Sequence, residues 1–184
     1  DLLIGNFITD FIRGKEQKEY SFSIRKGIEL HRVIDQFTDS HEIVKLSIEK
    51  LQPKYKRYSS VIIDIFYDHF LAKNWHVYSE ESLNEYADWV YTVLNTRKGD
   101  LPKVIVDVFP RMKKENWLVN YATDVGVKHA LRNIAHRARF DSKVDESHHE
   151  LQQYYAEFDK EFLLFFPELE IVSQKWIVNY RLGN

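Results

Sequence analysis

Apolar residues return at steps of three and four along nearly the whole chain, the period of an α-helix with one buried face. Val144, His148, Leu151, Tyr155, Phe158, Phe162 and Phe165 mark one long amphipathic helix, which the pattern ends at Pro167. Leu83, Tyr86, Val90, Tyr91 and Leu94 mark another before Gly99, and Ser79, Ser82 and Glu85 supply capping chemistry near its start. Strand-like alternation is nowhere sustained. Repeats, low-complexity tracts and linkers are absent, and there are only 6 Gly and 4 Pro. The expectation is an all-α, single compact multi-helix domain over residues 1–184, with roughly seven to nine helices.

Two predicted helices place acids where the pattern wants apolar groups. In Lys26–Ser40, Leu30, Val33, Ile34 and Phe37 form one stripe, and His31 and Asp35 stand four apart on its shoulder, with Asp39 one turn further. Donors at i and i+4 point the same way, as two metal ligands on one helix must. In Val61–Trp75, eight apolar residues surround Asp64, Asp68 and His69, so this helix is expected to be buried on nearly every side. Burying a carboxylate costs several kcal/mol unless it is compensated, which asks for a cation or a basic partner. An Asp paired with Arg and a hydrogen-bonded core histidine would be the ordinary explanation for each residue taken singly. Two helices with matching His and Asp content favour a metal centre. Oxygen and imidazole donors without sulfur suit Mn²⁺, Mg²⁺ or Fe²⁺ rather than a structural zinc.

Composition narrows the classes. The chain has no cysteine, which removes disulfides, thiolate catalysis and thiolate metal sites and fits a reducing, cytoplasmic setting. Hydrophobic residues at 44% and charged residues at 29% describe a globular chain. No apolar run is long enough to cross a membrane. A net charge of −2 offers no general attraction to nucleic acid. Charge is uneven, though: residues 1–140 hold 22 Lys and Arg against 19 Asp and Glu, and residues 141–184 hold 4 against 9. The basic body could favour an acidic partner. Aromatic stripes such as Tyr154, Phe158 and Phe162 read as core. The opening GNFITDFIRG sets Asn6, Asp10 and Arg13 between Gly5 and Gly14, which permit turns and close backbone approach; a capped surface helix explains it equally well.

Taken in order, GNFITDFIRG, GIELHRVIDQFTDS, VIIDIFYDHFLAKNW and ENWLVNY resemble the acyl carrier protein phosphodiesterase family over almost the entire chain. The resemblance implies a helical fold related to HD-type metal-dependent phosphohydrolases. It implies hydrolysis of the phosphodiester joining 4′-phosphopantetheine to a serine of holo acyl carrier protein, usually with Mn²⁺, and so a place in fatty acid biosynthesis and lipid metabolism. The family's motifs fall on Asn6, Asp10 and Arg13, on His31, Arg32, Asp35 and Asp39, and on Asp64, Asp68 and His69. Trp75, Asn116, Trp117 and Tyr121 match as well, with the aromatics read as structural. Family members usually carry a histidine shortly before the glycine–asparagine motif. This chain starts at Asp1 without it, so a short N-terminal segment is expected to be missing.

On that resemblance the metal is expected among His31, Asp35, Asp64, Asp68 and His69. Asp10 or Asp39 would take the proton of an attacking water, and Arg13 and Arg32 would stabilise phosphate charge. The small acidic carrier protein would dock on Lys15, Lys26, Lys54, Lys56, Arg57 or Lys73. Two other readings share these residues. One is a phosphohydrolase of a nucleotide or other small phosphodiester. The other is a non-catalytic binding module whose acids pair with Arg32, Arg132, Arg137 or Arg139.

Overall fold

The computed structural model describes residues 1–138 and 141–183; Arg139 of the binding-module reading lies outside the described residues. Among them every regular element is helical, as the periodicity predicts. The α-helices are α1 Leu2–Ile8, α2 Phe22–Ser40, α3 Glu42–Tyr55, α4 Ser59–Lys73, α5 Trp75–Tyr78, α6 Leu83–Thr96, α7 Lys103–Lys114, α8 Trp117–Asn120, α9 Asp124–Arg137, α10 His148–Gln153 and α11 Tyr155–Leu182. Backbone contacts gather them into two compact units, each drawn from separated stretches of chain: Asp1–Asp39, Asp88–Glu115 and Pro167–Asn184 in the first, Ser40–Ala87 and Asn116–Phe166 in the second.

The first unit is organised by a glycine contact. A Cβ at Gly5 would stand 1.9 Å from the Ile24 carbonyl oxygen, and one at Gly27 would stand 2.3 Å from the Leu2 carbonyl oxygen. Only glycine on both helices lets α1 and α2 touch backbone to backbone. Ile4, Ile8, Ile24 and Ile28 close over this contact with no more than 1% of their surface exposed. The stripe foreseen along α2 is deepest at this end, whereas Val33, Ile34 and Phe37 are only half-buried.

In the second unit, aromatic rings from α4 and α11 interlock. Phe66 meets Phe158 at 5.3 Å between centroids and Tyr67 meets Phe162 at 5.6 Å in an edge-to-face arrangement. The ring stripe is therefore core. Polar ties add register: Ser47 Oγ on α3 donates to Glu161 Oε2 at 2.5 Å, and Lys50 pairs with the same carboxylate. At the start of α6, Ser82 and Glu85 form the expected capping box. Glu85 N–H donates to Ser82 Oγ at 3.2 Å, and Ser82 N–H donates to Glu85 Oε2 at 3.0 Å.

Two boundaries differ from the sequence reading. The helix expected over Val144–Phe165 is broken at Tyr154 (φ −109°, ψ 24°), which separates α10 from α11. Nor does Pro167 end α11, which runs on to Leu182. Leu169, Val172, Ser173, Trp176, Ile177 and Tyr180 continue a half-buried face at helical spacing, while Pro167 itself is exposed. Burial of that face outweighs the roughly 3 kcal/mol that an interior proline costs. Among the described residues no helix is long and apolar enough to cross a membrane.

Candidate functional site

The glycine contact between α1 and α2 has a chemical consequence. It carries the 3₁₀ turn Thr9–Phe11, which follows α1, to the His31 side of α2. There His31 Nε2 lies 3.4 Å from Asp10 Oδ1 and 3.2 Å from Asp35 Oδ2. A hydrogen bond to the Asn6 backbone holds the imidazole so that Nε2 faces both carboxylates. Asn6 and Asp10 thus serve the same side, as a helical opening segment allows.

Electrostatics follow from the geometry. The Asp10 hydrogen bond, followed by the charge of Asp35, pushes the His31 pKa above its usual value against the cost of partial burial. The same bond holds the Asp10 carboxyl below its usual range. Asp35 moves up, because desolvation and the nearby Asp10 and Asp39 charges oppose the pull of His31. Two carboxylates aimed at one ring nitrogen need a positive charge between them. A proton on His31 provides it, and a divalent cation would provide it equally well. Imidazole and carboxylate donors therefore fit such an ion chemically. Among the described residues, however, no three His, Asp or Glu side chains already stand in positions from which all could reach one metal ion.

Asp39 is exposed, one turn beyond Asp35, and acts on it only electrostatically. Arg13 and Arg32 are exposed. All of these belong to the first unit.

The acids of α4 belong to the second unit, and their setting corrects the sequence reading. Asp64 and Asp68 are not wrapped in apolar side chains; with Ser60 they form an exposed row along a helix whose other residues, Lys73 at its end apart, are buried or half-buried. A strip at i and i+4 is narrow enough to reach solvent while Ile62, Ile63, Phe66 and Phe70 stay inside. Crowding by protein atoms and the like charge of Asp64 still raise the Asp68 pKa, to about 7. Water reaches this side chain and moderates the first cause; the second acts in either case.

His69 is a second correction. It is buried, and both its nitrogens are taken: Nδ1 lies 2.8 Å from the Tyr121 carbonyl oxygen and Nε2 lies 2.9 Å from Tyr155 Oη. Lys73 Nζ donates to Tyr155 Oη at 2.8 Å, so the tyrosine hydroxyl donates onward to Nε2 and the Nδ1–H donates to Tyr121. Desolvation lowers the His69 pKa, consistent with this neutral ring. His69 is a hydrogen-bonded core histidine with no lone pair to give a metal.

The remaining motif residues divide. Trp75 is structural: its Nε1 donates to the Glu81 carbonyl at 2.8 Å, and its ring lies 4.6 Å from Tyr86. Asn116 sits in the left-handed region (φ 45°) with its Oδ1 buried and without a hydrogen-bond partner among the described residues. Trp117 and Tyr121, read from sequence as structural, also line a small pocket. Of the docking cations, Lys26 pairs with Glu29, and Lys54 pairs with Glu146 and Glu150. Lys54, Lys56 and Arg57 border a pocket of about 640 Å³ completed by Lys143, a residue sequence reasoning missed because nothing local marks it.

Comparison with known proteins agrees with these motifs. Residues 1–169 match the family described as Acyl carrier protein phosphodiesterase. A protein of that name from Photorhabdus laumondii is 30% identical over 166 residues, 90% of this chain and 84% of its own length. Those from Yersinia enterocolitica and Escherichia coli O157:H7 are 29% and 27% identical, over 94% and 91% of this chain and 90% and 87% of their own lengths. No solved structure matches, so the HD-like kinship has no structural neighbour to support it. A matching family over nearly the full length, together with the Asp10–His31–Asp35 convergence on its motifs, places the chain in the acyl carrier protein phosphodiesterase family.

Proposed function

We propose that this chain is a cytoplasmic hydrolase that cleaves the phosphodiester between 4′-phosphopantetheine and serine in holo acyl carrier protein, leaving the apo carrier. The observation that carries the reading is the approach of Asp10 and Asp35 to one nitrogen of His31 within a chain of this family. Asp10, His31 and Asp35 would hold a divalent ion, Mn²⁺ or else Mg²⁺ or Fe²⁺, in place of the shared proton. Such an ion supplies Lewis acidity toward a phosphoryl oxygen and lowers the pKa of a bound water.

The chain's own residues do the rest. The Asn6 backbone fixes the His31 ring, and Asp39, exposed one turn on, is available to hold a proton taken from water. Lys56, Arg57 and Lys143 outnumber the one carboxylate, Asp141, at the 640 Å³ pocket and offer positive charge to an acidic carrier.

The test is incubation of the chain with holo acyl carrier protein and Mn²⁺, followed by intact-mass measurement of the carrier. Loss of the phosphopantetheine mass is expected, with suppression by chelator and by His31→Ala. A carrier of unchanged mass after exhaustive incubation ends this assignment.

A further inference from the structure

The ENWLVNY segment is left over by the chemistry described so far, and it does not behave as core. Trp117 and Tyr121 form one side of a pocket of about 120 Å³ whose other side is α9, through His129, Ala130, Asn133 and Arg137. Ile65, the neighbour of Asp64 on α4, completes it. Among the described residues that line it there is no carboxylate, and Arg137 brings a full positive charge. Every one of these residues belongs to the second unit.

Three observations point to an anion. First, the guanidinium is held in place: Arg137 Nε donates to the Asn133 carbonyl at 3.1 Å, and it is the only Arg137 side-chain hydrogen bond described. That contact orients the planar fork of the remaining N–H donors, which suits a tetrahedral oxyanion. Second, the Tyr121 hydroxyl faces the same space as the guanidinium: desolvation and then the Asp68 charge raise its pKa against the pull of Arg137, which keeps it protonated as a hydrogen-bond donor. Third, the entrance to this segment is strained. Asn116 is a non-glycine residue at positive φ, and the next turn is pinned because a Cβ at Gly126 would meet the Asn120 carbonyl oxygen at 1.9 Å. Strain of this kind persists where the surroundings impose it, often at ligand sites. The volume suits one phosphate-sized group and excludes a nucleoside.

We propose that the pocket between Trp117–Tyr121 and α9 binds a phosphate group, with Arg137 as its charged anchor and His129 and Asn133 as hydrogen-bonding groups. Under the phosphodiesterase reading, on which this choice of source rests, the phosphate of substrate or product is one source and free phosphate is the other.

The experiment titrates inorganic phosphate into the whole chain by calorimetry in the presence of chelator. It compares wild type with Arg137→Met, with Ala130→Leu, which fills the pocket from a helical position, and with Arg132→Met, an exposed cation of the same helix outside the pocket. Circular dichroism confirms that each variant is folded. Expected is saturable binding to wild type and to Arg132→Met, weakened roughly tenfold or more in Arg137→Met, as for loss of a charge-assisted bond, and lost in Ala130→Leu. Absence of phosphate binding to wild type, or equal affinity in all four proteins, overturns the site. Steady-state constants for holo acyl carrier protein identify the source. A raised KM in Arg137→Met assigns the pocket to the substrate's phosphate. Unchanged constants beside weakened phosphate binding assign it to free phosphate. Binding in a protein that proves inactive on holo acyl carrier protein keeps the site and removes the phosphodiesterase reading.

Discussion

Gly27→Ala tests the link between helix packing and the His31 site. The added Cβ would lie 2.3 Å from the Leu2 carbonyl oxygen, 2.8 Å from Gly5 Cα and 2.9 Å from Asn6 N. All three are backbone atoms, so no side chain can swing away. Restoring ordinary contact requires α1 to retreat by about 1 Å. Against this, Ala is the better helix former by about 1 kcal/mol. Overpacking costs about 1–3 kcal/mol, and a rigid backbone neighbour belongs at the upper end, so the net expectation is a loss of about 1–2 kcal/mol. The same retreat carries Asp10 outward. Its 3.4 Å contact with His31 has no slack and leaves hydrogen-bonding range.

Because the Asp10 bond is the largest cause raising the His31 pKa, that pKa should fall toward its usual value. A raised histidine pKa contributes stability that is present below the unfolded value and lost as pH rises through the folded one. Gly27→Ala should therefore also flatten the pH dependence of stability in that window. Urea unfolding at several pH values and an NMR titration of the His31 ring, both in chelator, read the two effects. Gly14→Ala is the control, since a Cβ there meets nothing within 4 Å. If Gly27→Ala matched wild type in both stability and His31 titration, the account of this contact would be refuted.

Two further predictions concern α4. Asp68 has a pKa raised to about 7 from 3.8, so its ionisation opposes folding increasingly as pH rises between those values. Asp68→Asn should melt like wild type near pH 4 and above it near pH 8 in chelator; equal melting temperatures at pH 8 would show that the raised value is wrong. Tyr155→Phe removes the hydroxyl between Lys73 and His69 and leaves a buried ring nitrogen unpaired, at a cost of about 1–3 kcal/mol in urea unfolding. Bound metal, measured by elemental analysis, should be unaffected; its loss would return His69 to the ligand set.

Much of this protein was legible before folding. The helical class, the capping box at Ser82 and Glu85, the aromatic core and the pairing of His31 with Asp35 are all local. Each depends on residues three or four apart, whose mutual direction a helix dictates. The recruitment of Asp10 depended on the backbone contact of Gly5 with Gly27, for which glycines in the sequence are only a permission. The exposure of Asp64 and Asp68 was misjudged because periodicity counts apolar neighbours around a helix but does not say which narrow row the packing leaves open. His69 was settled by Tyr121 and Tyr155, 52 and 86 residues away. Arg137 and Trp117 share a pocket for the same reason. Short-range order follows from bond geometry and can be read along the chain, whereas partners far apart in sequence are chosen by which surfaces pack, and that choice exists only in the folded protein.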